Sequence, residues 1–249
     1  VLHVKVGLDV AARKAHESLE AARVLLESAR QKRYAERMKR PTPYVDKTIY
    51  VGWNGMCISA YLEAARVLGL PGARAFALKS LYRVLGSAWD AKAGLAHVVA
   101  YGEAGMKADP VPGVLDDYVF LGTAALDAWE ATGELRYYDA AIAVTESALG
   151  RFYDRSGSAF FDTETAATGE RRLGALVARR KPLQDSPTPA GNPVAVALLL
   201  RLEALSGRKE YGKKAQATLE SFAGVVDHFG LYAATYGLAA NVFAVLWIA

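Results

Sequence analysis

Apolar positions recur at helical steps along almost the whole chain. From Val10 to about Arg37, Ala12, Leu19, Ala22, Leu25 and Leu26 fall on one face, which predicts one long amphipathic helix over 10–37. The stretch PTPYVD then breaks the chain. Beyond it three segments resemble one another, and each reads as an apolar helix, a glycine, a short turn and a second helix rich in Ala and Leu. The glycines are Gly69, Gly133 and Gly207. Each second helix runs into an apolar residue followed by aspartate: Trp89-Asp90, Tyr153-Asp154 and Val226-Asp227. The step from Gly69 to Gly133 equals that from Asp90 to Asp154. The step from Gly133 to Gly207 matches that from Asp154 to Asp227 to within a single position. Two landmarks thus share one period. Glycine just past a helix end takes the left-handed conformation without strain. The unit is therefore a helical hairpin, with hairpins near 52–90, 114–154 and 190–227. The longer second spacing locates an insertion at 163–189, rich in Pro and charge.

Hairpins of this length, with long loops on one side only, predict an all-α fold, an α/α toroid of inner and outer helices, treated as a single domain over 1–249. The final stretch, 231–249, carries no charge. By length it matches a membrane span, but Thr235, Asn241 and the lack of a following basic flank favour a further helix buried on all sides of a helical domain.

At one fixed distance before the repeat glycines stand Asn54, Tyr118 and Asn192, with Asp116 and Asp117 just before Tyr118. The N-terminal ends of the inner helices thus carry polar residues, and in a toroid those ends meet around one mouth. Capping explains part of this, because Asp and Asn side chains accept orphan backbone N–H bonds. One cap per helix leaves one of the two aspartates, and Trp53 beside Asn54, unaccounted for. Carboxylates, amides and aromatic faces around a mouth suit a sugar: rings stack on C–H surfaces, amides bind hydroxyls, and carboxyls protonate or attack at the anomeric carbon. Adjacent Asp116 and Asp117 diverge by about 100° on a helix, so a two-carboxylate mechanism would pair one of them with a distant acid such as Asp46 or Asp185. Which aspartate is the cap stays open. Only His97 and His228 lie on the mouth side, and neither has a sequence partner, which disfavours a sugar epimerase or isomerase built on paired histidines.

Lys plus Arg number 30 against 26 Asp plus Glu. That small basic excess is scattered, and its densest cluster, RQKRYAERMKR over 30–40, holds one aromatic, which argues against a nucleic-acid partner. Cys57 is the only cysteine and no two histidines have ligand spacing, so neither a metal nor another cofactor is expected. A lone thiol points to a reducing, cytoplasmic setting. The N-terminus VLHVKVGLDV has no signal-peptide pattern and no Met, which reads as a fragment.

Three motifs in order carry a family resemblance: Asp46-Lys47 with Trp53-Asn54-Gly55, LDDYVFL over 115–121, and Arg179, Lys181, Asp185, Gly191 and Asn192 at set spacings. Together they resemble the YyaL type, or spermatogenesis-associated protein 20 family. Ala190, Pro193 and Ser186, and an Asp-Lys to Trp spacing one residue longer, depart from its pattern. The resemblance implies an incomplete α/α toroid similar to six-hairpin glycosidases and N-acylglucosamine 2-epimerases, with a thioredoxin-like domain absent from this chain. The expected function is carbohydrate-active and glycoside-hydrolase-like if an enzyme. Asp116 or Asp117 would be the acid or base. Trp53, Asn54, Tyr118, Asp185 and Asn192 would line the pocket, and Arg179 and Lys181 would bind an anionic group. A non-catalytic module beside a thioredoxin-like partner is the alternative.

Overall fold

A computed structural model describes residues 5–43, 45–99, 111–164 and 178–248. The opening VLHV and residues 165–177 of the insertion lie outside the described residues. The chain divides into two compact units, Val1–Asp46 and Lys47–Ala249.

In the first unit the single long helix expected over 10–37 is two: α1 (Leu8–Lys14) and α2 (Leu19–Met38). His16 takes a positive φ of 55° between them. Ser18 Oγ then accepts the Ala21 N–H at 3.1 Å as a new N-cap. The apolar period runs through this break because it records the face and not the capping. Along α2 no residue is buried, and Val24 and Leu25 are exposed.

The second unit carries helical hairpins α3–α4 (Val51–Leu68, Pro71–Ala88), α5–α6 (Leu115–Thr132, Leu135–Phe152) and α7–α8 (Gly191–Ser206, Lys209–Ala223). First helices end in left-handed Gly69, Gly133 and Gly207, at φ 65°, 71° and 71°. There a side chain would strain the turn. Each first helix packs on the next, giving a row α3–α5–α7 that continues into α9 (Ala234–Phe243), while each second helix covers its own partner. This is the inner and outer layering of an α/α toroid.

Burial follows position in the row. Helices α5 and α7, flanked on both sides, bury residues on nearly every face: Leu115, Leu121 and Leu126 on α5, and Leu198, Leu199 and Leu202 on α7. Each fully buried leucine contributes about 2 kcal/mol. Where α3 crosses α5 the backbones nearly touch, since a Cβ at Gly55 would lie 2.7 Å from the Phe120 carbonyl carbon. Arg201 on α7 reaches back to α5, donating to Asp127 at 2.6 Å and Glu130 at 2.8 Å.

The end of the chain corrects the expectation of one helix buried on all sides. Val226–Ala233 is 3₁₀, with Gly230 outside helical φ/ψ, and α9 gives way to a π turn over Ala244–Ile248. Within the two helical segments over Val226–Phe243 only Ala233 and Ala239 are buried, whereas Leu231 is 91% and Leu238 67% exposed. The reason is packing: α9 lays one face on α7 and contacts little else among the described residues. By length and composition alone, Val226–Leu246 is apolar enough to cross a membrane.

Short strands after α4 return the chain to the mouth, where they meet the strand that leads into α3. The strands are β1 (Ile49–Tyr50), β2 (Trp89–Asp90), β3 (Gly94–Leu95) and β4 (Val98–Val99). β1 pairs antiparallel with β4, Ile49 opposite Val99, and β2 with β3, Trp89 opposite Leu95. In the next repeat a single bridge, Tyr153 with Phe160, does the same work.

Candidate active site

The return segments bring two titratable side chains to equivalent places. His97 follows Leu95 by two positions, as Asp162 follows Phe160. The His97 carbonyl accepts the N–H of Val51, first residue of α3, at 3.0 Å, and the Asp162 carbonyl accepts that of Leu115, first residue of α5, at 2.9 Å. Each thereby satisfies one of the orphan donors at a helix start. Asp117 lies against His97, and Asp116 is close enough to Asp162 to feel its charge.

The two aspartates have different fates. Asp117 is 1% exposed. Its Oδ1 accepts the Gly52 N–H at 2.8 Å and its Oδ2 the Val114 N–H at 2.9 Å. It therefore caps its own helix from the third position and also closes the start of α3. Val114, the residue at the cap position, has no side-chain acceptor, which is why the third residue supplies it. His97 Nδ1 sits 2.8 Å from Asp117 Oδ2. Burial pushes the Asp117 carboxyl above its ordinary range, while the bonds from His97, Val114 and Gly52 pull it back.

Asp116 is half-buried, and among the described residues no hydrogen bond to its carboxylate is found. Burial first, then the neighbouring charges of Asp117 and Asp162, push it up to about 6, with His97 opposing. Its place depends on a glycine across the mouth: a Cβ on Gly191 would stand 2.5 Å from Asp116 Oδ1. Asp162 is itself held, its Oδ1 accepting the Arg180 N–H at 3.0 Å.

Several residues singled out from the sequence are occupied within the fold. Asn192 is fully buried, accepting the Phe160 N–H at 2.7 Å and donating to the carbonyls of Phe160 and Pro182 at 2.9 and 3.0 Å. The Tyr118 hydroxyl accepts the Leu95 N–H at 2.8 Å, and its ring meets Phe152 edge-on in the core. Asp185 accepts the N–H of Ala190 and of Thr235, both at 2.8 Å, and so ties the start of α7 to that of α9. Lys181 donates to Asp154 at 2.8 Å and to the carbonyls of Gly157 and Ser158. Arg179 donates to the Thr163 carbonyl and lies 3.8 Å over the Phe161 ring. Asn54 donates back to the Tyr50 carbonyl at 2.9 Å. Trp53, by contrast, is 59% exposed and packs on Tyr50 with ring centroids 4.8 Å apart. Tyr50 in turn meets His97 edge-on at 5.8 Å.

The group brought together at the mouth is thus Asp116, the His97–Asp117 pair, Asp162 and the Tyr50–Trp53 face. Aligned on Asp90 and Asp154, His97 and Asp162 fall one position out of register, and they become equivalent only through the pairings of Trp89 with Leu95 and Tyr153 with Phe160. Among the described residues no cluster of three or more His, Cys, Asp or Glu is placed to hold a metal ion. A concavity of about 850 Å³ lies toward the other end of α3 and α5, lined by Ser59, Leu62, Arg66 and Asp127. Asp127 stands about three turns further along α5 than Asp116, about 16 Å along the axis.

No protein-family model matches the chain. It is 30% identical over 227 residues to spermatogenesis-associated protein 20 of Homo sapiens, a match that covers 89% of this chain and 28% of that protein. The Mus musculus counterpart is 28% identical over the same shares. The chain thus spans about 28% of the length of the curated relatives it matches. Among solved structures, a GH76 α-mannanase of Bacteroides thetaiotaomicron superposes with a TM-score of 0.64 at 16% identity, over 85% of this chain and 55% of that one. A cellobiose 2-epimerase of Bacillus thermoamylovorans superposes at 0.55 and 14% identity, over 73% and 46%. At these identities the likeness is one of fold.

Proposed function

We propose that this chain, homologous to spermatogenesis-associated protein 20 and folded as an α/α toroid, is carbohydrate-active and hydrolyses a glycosidic bond with Asp116 as general acid. The observation that carries the reading is the Asp116 carboxyl. It is half-buried, has no hydrogen bond among the described residues, and is pushed up to about 6 beside two other carboxylates. A carboxyl of that kind keeps its proton long enough near neutral pH to give it to a leaving-group oxygen. The exposed Trp53 ring, backed by Tyr50, offers a face for a pyranose. Solved toroids of the same fold bear the names of a mannanase and a sugar epimerase, which supports a sugar as the ligand class.

Asp117 contributes as a buried anchor and Asn192 and Asp185 as braces, so the sugar-contacting set contracts to Asp116, Trp53 and, through its neighbours, Asn54 and Arg179. A second reading, a sugar-binding module without turnover, is favoured by one observation. The neighbouring acid, Asp162, already accepts a backbone N–H. In the longer protein a thioredoxin-like domain would accompany this toroid, in a reducing, cytoplasmic setting.

The test is a panel of 4-nitrophenyl and natural glycosides offered to the protein and to Asp116→Asn. Release of sugar by the parent, lost in the variant, supports hydrolysis. Binding without release by both supports the second reading, and neither binding nor release removes the carbohydrate assignment.

A further inference from the structure

His97 is held from three directions. Its backbone N–H donates to the Val111 carbonyl at 2.8 Å and its carbonyl takes the Val51 N–H. Its Nδ1 lies 2.8 Å from Asp117 Oδ2. The imidazole is still 36% exposed, so the ring is anchored at one nitrogen while part of it reaches solvent. Asp117 accepts a backbone N–H on each oxygen, bonds that favour its ionised form against the opposing effect of burial. An ionised carboxylate only accepts, so Nδ1 carries the proton and Nε2 keeps the lone pair. Asp117 cannot itself act at a substrate, being buried and engaged on both oxygens.

We propose that His97 Nε2 is the base that activates water in this mouth, with Asp117 as its positioning residue, working opposite the acid Asp116. The inference rests on the hydrolase reading above and assigns its second partner. The step balances as a single displacement. The Asp116 carboxyl gives its proton to the glycosidic oxygen as the bond from C1 to that oxygen breaks. The water oxygen bonds to C1 from the opposite face, and His97 Nε2 takes the water proton. Exchange with solvent then returns both groups to their starting states, and the anomeric configuration is inverted. An imidazole takes protons from water readily, and no covalent sugar is formed on the protein.

Two measurements test it. In ¹⁵N-labelled protein, with His97 assigned by its loss in His97→Gln, the expected result is a protonated Nδ1 and a bare Nε2, a preference that Asp117→Asn abolishes. A proton on Nε2 with Nδ1 bare overturns the proposal. The second uses the 4-nitrophenyl glycoside that the parent turns over. Product first seen by ¹H NMR should have the inverted anomer, and His97→Ala should lower kcat about 100-fold or more with Tm held. Azide should restore release of 4-nitrophenol by attacking C1 in place of activated water, yielding the inverted glycosyl azide. Retention of configuration, or His97→Ala turning over at the parental rate, overturns the base assignment and leaves the hydrolase reading standing. A parent that turns over no glycoside removes the reading and the base role together.

Discussion

Replacing Asp116 by Asn should stabilise the protein, and only above a definable pH. The Asp116 carboxyl is moved from an ordinary value of 3.8 to about 6 by burial and by the charges of Asp117 and Asp162, with His97 opposing. As pH rises from about 4 to 6, the unfolded chain releases this proton while the folded protein still holds it. Folded-state stability therefore falls across that window and stays lower above it. Below about 4 both states are protonated and no penalty remains. Two pH units at about 1.4 kcal/mol each give about 3 kcal/mol, and the half-exposed carboxyl is screened by solvent, which reduces this to about 1–2 kcal/mol. Asn carries no charge and escapes the penalty. For a domain of this size, about 2–4 °C per kcal/mol, Asp116→Asn should melt about 2–8 °C above the parent at pH 8 and within about 1 °C of it at pH 3.5. Differential scanning calorimetry at both pH values reads it. A Tm that drops at pH 8, or shifts equally at both, would refute the view that Asp116 is held at the expense of stability.

The neighbouring aspartate should behave in the opposite way. Asp117→Ala strands the buried N–H groups of Gly52 and Val114, at about 1–3 kcal/mol each, so urea unfolding should show a loss of about 3–5 kcal/mol; an unchanged midpoint contradicts the double-cap assignment. Asn192→Ala removes three bonds to the loop backbone and should cost about 2–4 kcal/mol by the same measurement. Trp53→Ala, at an exposed ring, should leave Tm within about 1 °C yet abolish the fluorescence quenching that a bound sugar produces in the parent.

Much of the framework is written locally. A glycine after each apolar run and a shared aspartate further on are short-range signals, and they mark the helix ends at Gly69, Gly133 and Gly207 because left-handed geometry demands a residue without a side chain. The break at His16 to Ser18 is hidden, since apolar period continues across it and only Ser18 reveals a new start. The exposure of α9 is hidden for a different reason: composition reports apolar character, whereas burial depends on which elements lie alongside. At the site, the pair Asp116-Asp117 stands out in the sequence, but their division of labour does not. Asp117 is decided by Gly52, a whole repeat earlier at the start of α3, and by His97, whose partner no local pattern supplies. Asn192 and Asp185 read as mouth residues because amides and carboxylates serve loops and ligands equally well. Their partners are backbone groups of Phe160, Pro182, Ala190 and Thr235, and a backbone partner leaves no trace in residue identity.

The claim on which the account turns is that Asp116 is a proton-holding acid while Asp117 is an anchor. Titrating the side-chain carboxyl carbons by ¹³C NMR, with Asp116 assigned by its absence in Asp116→Asn, measures this without any substrate. The account predicts a midpoint for Asp116 near 6. A midpoint near the ordinary aspartate value of about 4 would contradict it.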